Sequence, residues 1–188
     1  MQSRVDLACA CDFLTQLIGA LLIAMLGWWS PALATDALDV SVGLKTLPLL
    51  SNRIIGQINM AVAFDAARPE SRMDAEAIKA AVDSGLDVPG GERLTAMTVA
   101  AEDLPKLKGA TVIFLAKDIG PDALRVVAQS AAANGILSIS TDVACVRANE
   151  CVLGIVSRPT VEIYFSRAAA AASHLGFTSA FIMLAKPN

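Results

Sequence analysis

Short apolar runs that alternate with helical patterns are the feature of this sequence that most constrains its fold. Four of these runs have the composition of β-strands: residues 57–64, 94–100, 111–116 and 136–140. Most of them are apolar on both faces, as expected of strands that helices cover on both sides. The alternation therefore predicts an α/β fold, a single-domain three-layer sandwich with a mostly parallel sheet and helices on both faces.

The segments between these runs carry helix signals. Gly85 and Gly135 stand where a glycine ends a helix, and Pro121 stands at a first helical position. Ser71 and Asp74 have the spacing of a capping box. These signals predict one helix between the first two strands and another between the third and the fourth.

The segments on either side of this central region complete the prediction. Two strands, 151–157 and 160–165, are separated by Arg158 and Pro159, which predicts a C-terminal hairpin. Ser166 is then expected to cap an alanine-rich helix. Nearer the N-terminus a helix is predicted over residues 44–50, although Pro48 argues against it.

The first thirty-four residues have the pattern of an export signal. The run from Phe13 to Trp29 carries no charge, and Ala32 and Ala34 form the A-x-A pattern that signal peptidase recognises. The alternative is an uncleaved membrane anchor, for which seventeen apolar residues are marginal. We expect residues 1–34 to be a cleaved signal peptide and residues 35–188 to form the α/β domain, located in the periplasm.

The charge of the chain argues against two classes of partner. Removing 34 of the 188 residues leaves 154, and the loss of Arg4, Asp6 and Asp12 moves the formal charge from −3 to −2. A weakly acidic domain without a block of lysine or arginine has no footprint for nucleic acid. It also lacks the polybasic patch that attracts proteins to a membrane surface.

Cys145 and Cys151 remain in the mature chain, separated by "VRANE". Two cysteines and the single histidine, His174, are too few for a structural zinc site, and the spacing differs from the C-x-x-C of thioredoxin-like couples. In an oxidising compartment a disulfide is the simplest interpretation, with a redox switch as the alternative. We expect the bridge to shape an exposed loop whose polar residues, Arg147, Asn149 and Glu150, contact a partner.

Polar residues also follow three of the predicted strands. They are Asp65, Lys117, Asp118, Thr141 and Asp142. In open α/β sheets ligands bind beyond the carboxyl ends of the strands, so these residues are a candidate pocket for a small polar ligand or a cation. The alternative is that they cap helices and close loops.

Signatures of enzymes are weak in this sequence. No G-x-S-x-G elbow, G-x-G-x-x-G loop or Walker pattern occurs, and His174 stands at the end of the alanine-rich helix. We therefore expect no catalytic residue, no metal and no cofactor.

The C-terminal half of the sequence resembles a known protein family. The stretch "ILSISTDVACV…ECVLGIVS…TVEIYFSRAAAAASHLGFTSAFIML" resembles the YfiR-like periplasmic proteins. The similarity covers most of residues 42–184 and is strongest after Thr111. The second disulfide of that family has no counterpart here, because the remaining cysteines, Cys9 and Cys11, lie in the predicted signal.

The resemblance implies a non-enzymatic periplasmic regulator that binds the sensing domain of a membrane diguanylate cyclase and thereby limits cyclic-di-GMP and biofilm formation. It also implies that Cys145 and Cys151 are paired. The partner would be a membrane signalling protein, and a homodimer is also compatible with this interpretation. A second hypothesis is a periplasmic solute-binding module of a transport or sensory system, because residues 58–71 also look like the first strand and loop of such receptors.

Overall fold

The structure is a computed structural model that describes residues 35–51, 56–86, 88 and 93–187. The predicted signal peptide lies outside the described residues. Among those described, the strands are β1 (Ile58–Phe64), β2 (Leu94–Ala100), β3 (Val112–Leu115), β4 (Leu137–Ser140), β5 (Leu153–Val156), β6 (Glu162–Phe165) and β7 (Lys186–Pro187). The helices are α1 (Ala37–Leu44), α2 (Pro69–Asp83), α3 (Pro121–Ala133), α4 (Val143–Arg147), α5 (Arg167–Ala172) and α6 (Ser179–Leu184).

The strands form a mixed sheet in the order β2-β1-β3-β4-β5-β6-β7. Strands β1 to β5 are parallel, whereas β6 runs antiparallel to β5 and β7 runs parallel to β6. The predicted mostly parallel sheet and the C-terminal hairpin are therefore confirmed. The order reverses direction between β1 and β3, which makes the carboxyl ends of these two strands the topological switch point of the sheet.

The core lies on both faces of the sheet, because alternate side chains of each strand point to opposite sides. On one face Met60 and Val62 of β1 pack in a cluster with Ile78 of α2. On the other face Ala63 of the same strand packs in a cluster with Val127 of α3. Helices on both faces confirm the three-layer arrangement.

Most of the predicted helix boundaries are confirmed. Gly85 and Gly135 adopt positive φ directly after the caps of α2 and α3, and Pro121 is the first residue of α3. Ser166 caps α5 by accepting a hydrogen bond from the backbone N–H of Ala169. These signals act within one helical turn, so the sequence alone reveals them.

Two local predictions are wrong. The helix expected over residues 44–50 is instead α1, which ends at Leu44 and is followed by a 3₁₀ turn over Leu47–Leu49 with Pro48 near its start. Ser71 and Asp74 form no capping box, because Pro69 begins α2 earlier and Arg68 is its N-cap residue. Both Ser71 and Asp74 are instead buried and bonded to other parts of the chain.

Candidate functional site

The predicted strand-end residues lie at one edge of the sheet. Asp65 follows β1 directly, and Lys117 and Asp118 lie in the loop after β3. Thr141 and Asp142 follow β4. Because these three strands are adjacent and parallel, their carboxyl ends meet, and the five residues lie along the edge that contains the switch point.

The Asp65 carboxylate accepts hydrogen bonds from backbone groups on both sides of the switch point. Its Oδ1 accepts a hydrogen bond from the backbone N–H of Ala67 at 2.9 Å, and its Oδ2 accepts one from Gly120 at 3.1 Å. The Arg68 Nε lies 3.6 Å from the same Oδ2. A Cβ on Gly120 would approach Asp65 Oδ2 to 2.7 Å, so a side chain at this position would displace the Asp65 carboxylate. The carboxylate therefore joins the loop after β1 to the loop after β3.

Asp74 is a second carboxylate at this edge and, unlike the half-buried Asp65, it is buried. The sequence predicts a different role for it, in a capping box with Ser71. It lies on α2 with 5% of its surface exposed. Its Oδ1 accepts from the backbone N of Thr35 at 2.7 Å. Its Oδ2 accepts from Thr35 Oγ1 at 2.9 Å and from the backbone N of Lys117 at 2.8 Å. A signal was present, because Asp74 precedes Ile78 by four residues and therefore falls on the apolar stripe of its helix.

Thr141 and Asp142 also make structural contacts. Thr141 Oγ1 lies 3.4 Å from Thr35 Oγ1. Asp142 is the N-cap of α4 and accepts a hydrogen bond from the backbone N of Ala144 at 2.8 Å. Asp118 is exposed and has a φ of 56°, a left-handed conformation that aspartate tolerates better than most residues. Capping and loop closure thus account for Asp142, as the alternative interpretation expected.

Residues 35–39 cover this edge of the sheet nearer to β5. Asp36 caps α1 in a capping box with Asp39 and pairs with Arg158 at 2.7 Å. The Ser157 hydroxyl, which follows β5, donates to Asp39. Residues 35–39 therefore contact Asp74 of α2 and the loops after β4 and β5, in the region where a ligand of an open α/β sheet would lie.

The second predicted site surrounds the cysteines. Cys145 and Cys151 form a disulfide with a Cα–Cα distance of 5.5 Å, which confirms the predicted bridge. Only part of the intervening segment is an exposed loop, because Cys145 and Val146 belong to α4 and are buried. The bridge therefore ties α4 to the start of β5.

The three predicted contact residues have different surroundings. Asn149 has a φ of 60° and its Oδ1 accepts a hydrogen bond from Ser166 Oγ at 2.7 Å. Glu150 Oε1 lies 4.0 Å from Arg125 Nε of α3. Arg147 is exposed, and its charge acts on the Tyr164 hydroxyl. The structure thus brings Asn149 and Glu150 together near α3 and α5, whereas Arg147 faces the β6 side.

A groove lies beside Asn149 and Glu150 and has a volume of about 180 Å³. Its walls come from α3, β4, the segment between the two cysteines, and α5 with the residue that follows it. The lining residues are Arg125, Ala128, Gln129, Ala132, Ser138, Asn149, Glu150, Ala169, Ala172 and Ser173. Pockets for small ligands usually enclose about 300–1,000 Å³. The groove is therefore small for a ligand but wide enough to receive a side chain from another protein.

Three titratable residues with displaced pKa values interact on β6 and β7: Glu162, Tyr164 and Lys186. The Tyr164 hydroxyl donates to Glu162 Oε2 at 2.7 Å, and Lys186 Nζ lies 2.6 Å from Glu162 Oε1. The lysine lowers the pKa of Glu162, with a smaller contribution from Tyr164. The hydrogen bond to Glu162 raises the pKa of Tyr164. These shifts come from ordinary surface pairing rather than from a buried catalytic group.

The described part of the chain offers neither a cluster of metal ligands nor a membrane-spanning helix. No group of three or more His, Cys, Asp or Glu residues within 35–51, 56–86, 88 and 93–187 could hold a metal ion. In the same ranges no helix combines the length and apolar character needed to cross a membrane.

Comparisons with known proteins give a fold and no family. No protein-family model and no curated protein matches the sequence. One similar solved structure is the ABC domain in complex with L-Trp from Streptococcus pneumonia, with a TM-score of 0.57 and 11% identity over 79% of this chain. Another is a conserved domain protein from Vibrio cholerae O1 biovar El Tor, with a TM-score of 0.56 and 11% identity over 82% of this chain. The match covers 60% of each of these longer chains. Because the identity is only 11%, the likeness is one of fold.

Proposed function

We propose that this protein is an exported, non-enzymatic regulator that binds the periplasmic sensing domain of a membrane signalling protein of the diguanylate cyclase type. Residues 1–34 would direct export and be removed. The disulfide is compatible with such an oxidising compartment, since bridges of this kind persist there.

The observation that carries the proposal is the surface beside the disulfide. Arg147, the last residue of α4, carries a positive charge, and Glu150 carries a negative charge three residues later. The Cys145–Cys151 bridge joins this short segment to the start of β5. Such a surface reaches a partner already ordered, so less conformational entropy is lost on binding. The adjoining groove adds a concave contact that suits a side chain of the partner better than a free ligand.

The carboxyl edge of the sheet supports binding of a protein rather than of a small molecule. Thr35 and Lys117 bond to Asp74, and Asp65 bonds to Gly120, across the place where a ligand would enter. Groups that already satisfy one another offer less to a ligand, because their hydrogen bonds must first be broken.

Deletion and complementation test the proposal. We expect deletion of the gene to raise cyclic-di-GMP, and the wild-type gene to reverse the rise. The double variant Arg147→Ala/Glu150→Ala should fold, as judged by circular dichroism, and fail to complement. A matched control is Lys79→Ala/Asp83→Ala, which also removes one cation and one anion, but from an exposed pair on α2.

The same variants should be compared in binding. The wild type and the α2 control should bind the membrane partner in a pull-down. The Arg147/Glu150 variant should lose at least about thirtyfold in affinity, because a contact of hot-spot strength contributes about 2 kcal/mol or more. Unchanged cyclic-di-GMP on deletion, together with no membrane partner, would rule out the regulator.

A second candidate function is a solute-binding module, favoured by the structural similarity to the ABC domain in complex with L-Trp. Amino acids, including L-Trp, should then raise the melting temperature of the purified protein. Asp118→Asn is the informative variant, because asparagine tolerates the left-handed backbone of this exposed position while removing its charge. A shift that this variant abolishes would favour solute binding at the strand ends.

A further inference from the structure

Thr35 is the first residue after the predicted signal peptide, and the α/β domain begins with it. Its backbone N donates to Asp74 Oδ1 at 2.7 Å and its hydroxyl donates to Asp74 Oδ2 at 2.9 Å. Both residues have 5% of their surface exposed. The first residue after the A-x-A pattern is therefore already buried against a carboxylate.

Asp74 has an unusual set of neighbours for a buried carboxylate. The hydrogen bonds that it accepts from Thr35 and from the backbone N of Lys117 come from neutral groups while Ala34 is still attached. A buried carboxylate is costly unless a positive charge compensates it. A free N-terminus at Thr35 would place that charge in direct contact with Oδ1.

We propose that the Ala34–Thr35 bond is the processing site and that cleavage creates a buried ion pair between the Thr35 α-ammonium and Asp74. A signal peptidase would hydrolyse this bond with one water molecule. Ala34 leaves as a carboxylate, and the Thr35 nitrogen takes up both hydrogens of the water to become an ammonium group. The inference rests on the export included in the proposed function.

The ion pair would stabilise the carboxyl edge of the sheet. Asp74 joins α2 to the loop after β3 through Lys117, and Thr35 Oγ1 reaches Thr141 after β4. Asp36, next in the chain, caps α1. Before cleavage the carboxylate accepts hydrogen bonds from neutral donors only, and an ammonium group at Thr35 adds a charge–charge attraction to them. We therefore expect the domain to be more stable after cleavage than before it.

Amine labelling of the processed protein tests the inference. The full chain is expressed in a bacterium that exports it, purified from the periplasm and treated with an acetylating reagent near neutral pH. Peptide mass spectrometry identifies the N-terminal residue and compares labelling at the Thr35 amine and at Lys106, whose side chain is 65% exposed. An ordinary α-amine, with a pKa of about 7.7–8.0, reacts faster than lysine under these conditions.

We expect an N-terminus at Thr35 whose labelling is at least about tenfold slower than that of Lys106, the reverse of the order set by the two ordinary pKa values. Asp74→Asn should remove this protection, whereas Asp83→Asn, an exposed site on the same helix, should retain it. If Asp74→Asn does not fold, the wild type remains decisive, and Thr35→Ser should stay protected because it keeps both the amine and the hydroxyl.

Two results would overturn the inference. One is a Thr35 amine that is labelled as fast as Lys106, and the other is a mature chain that begins at a different residue. Failure of the proposed regulation can be distinguished from failure of this inference. In that case the Thr35 amine is still labelled slowly, but deletion of the gene leaves the cyclic-di-GMP level unchanged.

Discussion

The disulfide between Cys145 and Cys151 leads to a prediction whose magnitude follows from the structure. Both cysteines are buried, with 3% and 0% of their surface exposed, so alanine can replace each of them without burying a polar group. The bridge spans a sequence separation of six. For so short a ring the loop-closure model gives about 2 kcal/mol of stabilisation at 25 °C. The double variant Cys145→Ala/Cys151→Ala should therefore lose about 2 kcal/mol in its free energy of unfolding, and slightly more if small cavities remain.

The loss should be concentrated locally. The backbone N–H groups of Glu150 and Cys151 both donate to the carbonyl oxygen of Cys145, at 2.9 and 3.3 Å. The helix α4 has five residues, far below the roughly 12–15 at which an isolated helix becomes stable in water. Without the bridge, these two amides should exchange their hydrogens faster, while the amides of β1 keep the protection set by global unfolding.

Equilibrium unfolding in guanidinium chloride measures the global effect. We expect a lower midpoint with an unchanged slope, since the surface exposed on unfolding is nearly the same. A reductant should bring the wild type close to the double variant and leave the double variant unchanged. A loss below about 0.5 kcal/mol would show that the bridge constrains nothing, and one above about 5 kcal/mol would contradict the short-ring calculation.

Three further predictions follow from packing and charge. Gly154→Ala should cost about 1–3 kcal/mol in unfolding experiments, because its Cβ would approach Val146 Cγ2 to 2.8 Å, and a variant as stable as wild type would show that α4 shifts freely. Phe181→Ala should cost about 3–5 kcal/mol, because the ring is 1% exposed and packs in an aromatic cluster, and a loss below 1 kcal/mol would contradict this. Tyr164 is the single tyrosine of the chain, so its ultraviolet titration is unambiguous; its midpoint should lie above 10.0 and fall toward 10.0 in Glu162→Gln. Since the pKa of Tyr164 is raised in the folded state, its contribution to stability is present at lower pH and is lost as pH rises through that pKa.

The sequence predicts where the residues of the candidate site lie better than it predicts what they do there. The sequence predicts Asp65 and Asp142 as site residues because each follows an apolar strand within two residues, and the carboxyl ends of parallel strands meet at one edge. The structure shows that both carboxylates hold neighbouring backbone N–H groups. Local sequence cannot separate a ligand-binding carboxylate from a loop-closing one, because the same residue types serve both purposes.

Asp74 shows where sequence reasoning failed. Its spacing from Ser71 matches a capping box, but Pro69 begins the helix earlier and moves Asp74 onto the buried face. There it bonds to Thr35 and Lys117, which are 39 and 43 residues away in the chain. Contacts over such distances depend on how α2 packs against the sheet, which no pattern within one helical turn encodes.

The sequence by itself determined the alternation of strands and helices, the glycine and proline boundaries and the pairing of two nearby cysteines. Each of these depends on periodicity, backbone preference or ring size over at most about twenty residues. Tertiary structure alone decided the strand order, with its switch point between β1 and β3, and brought Thr35 and Asp74 together at the edge of the sheet. The physical reason is that burial and hydrogen bonding between distant segments are settled by packing the whole domain, not by the preferences of any one segment.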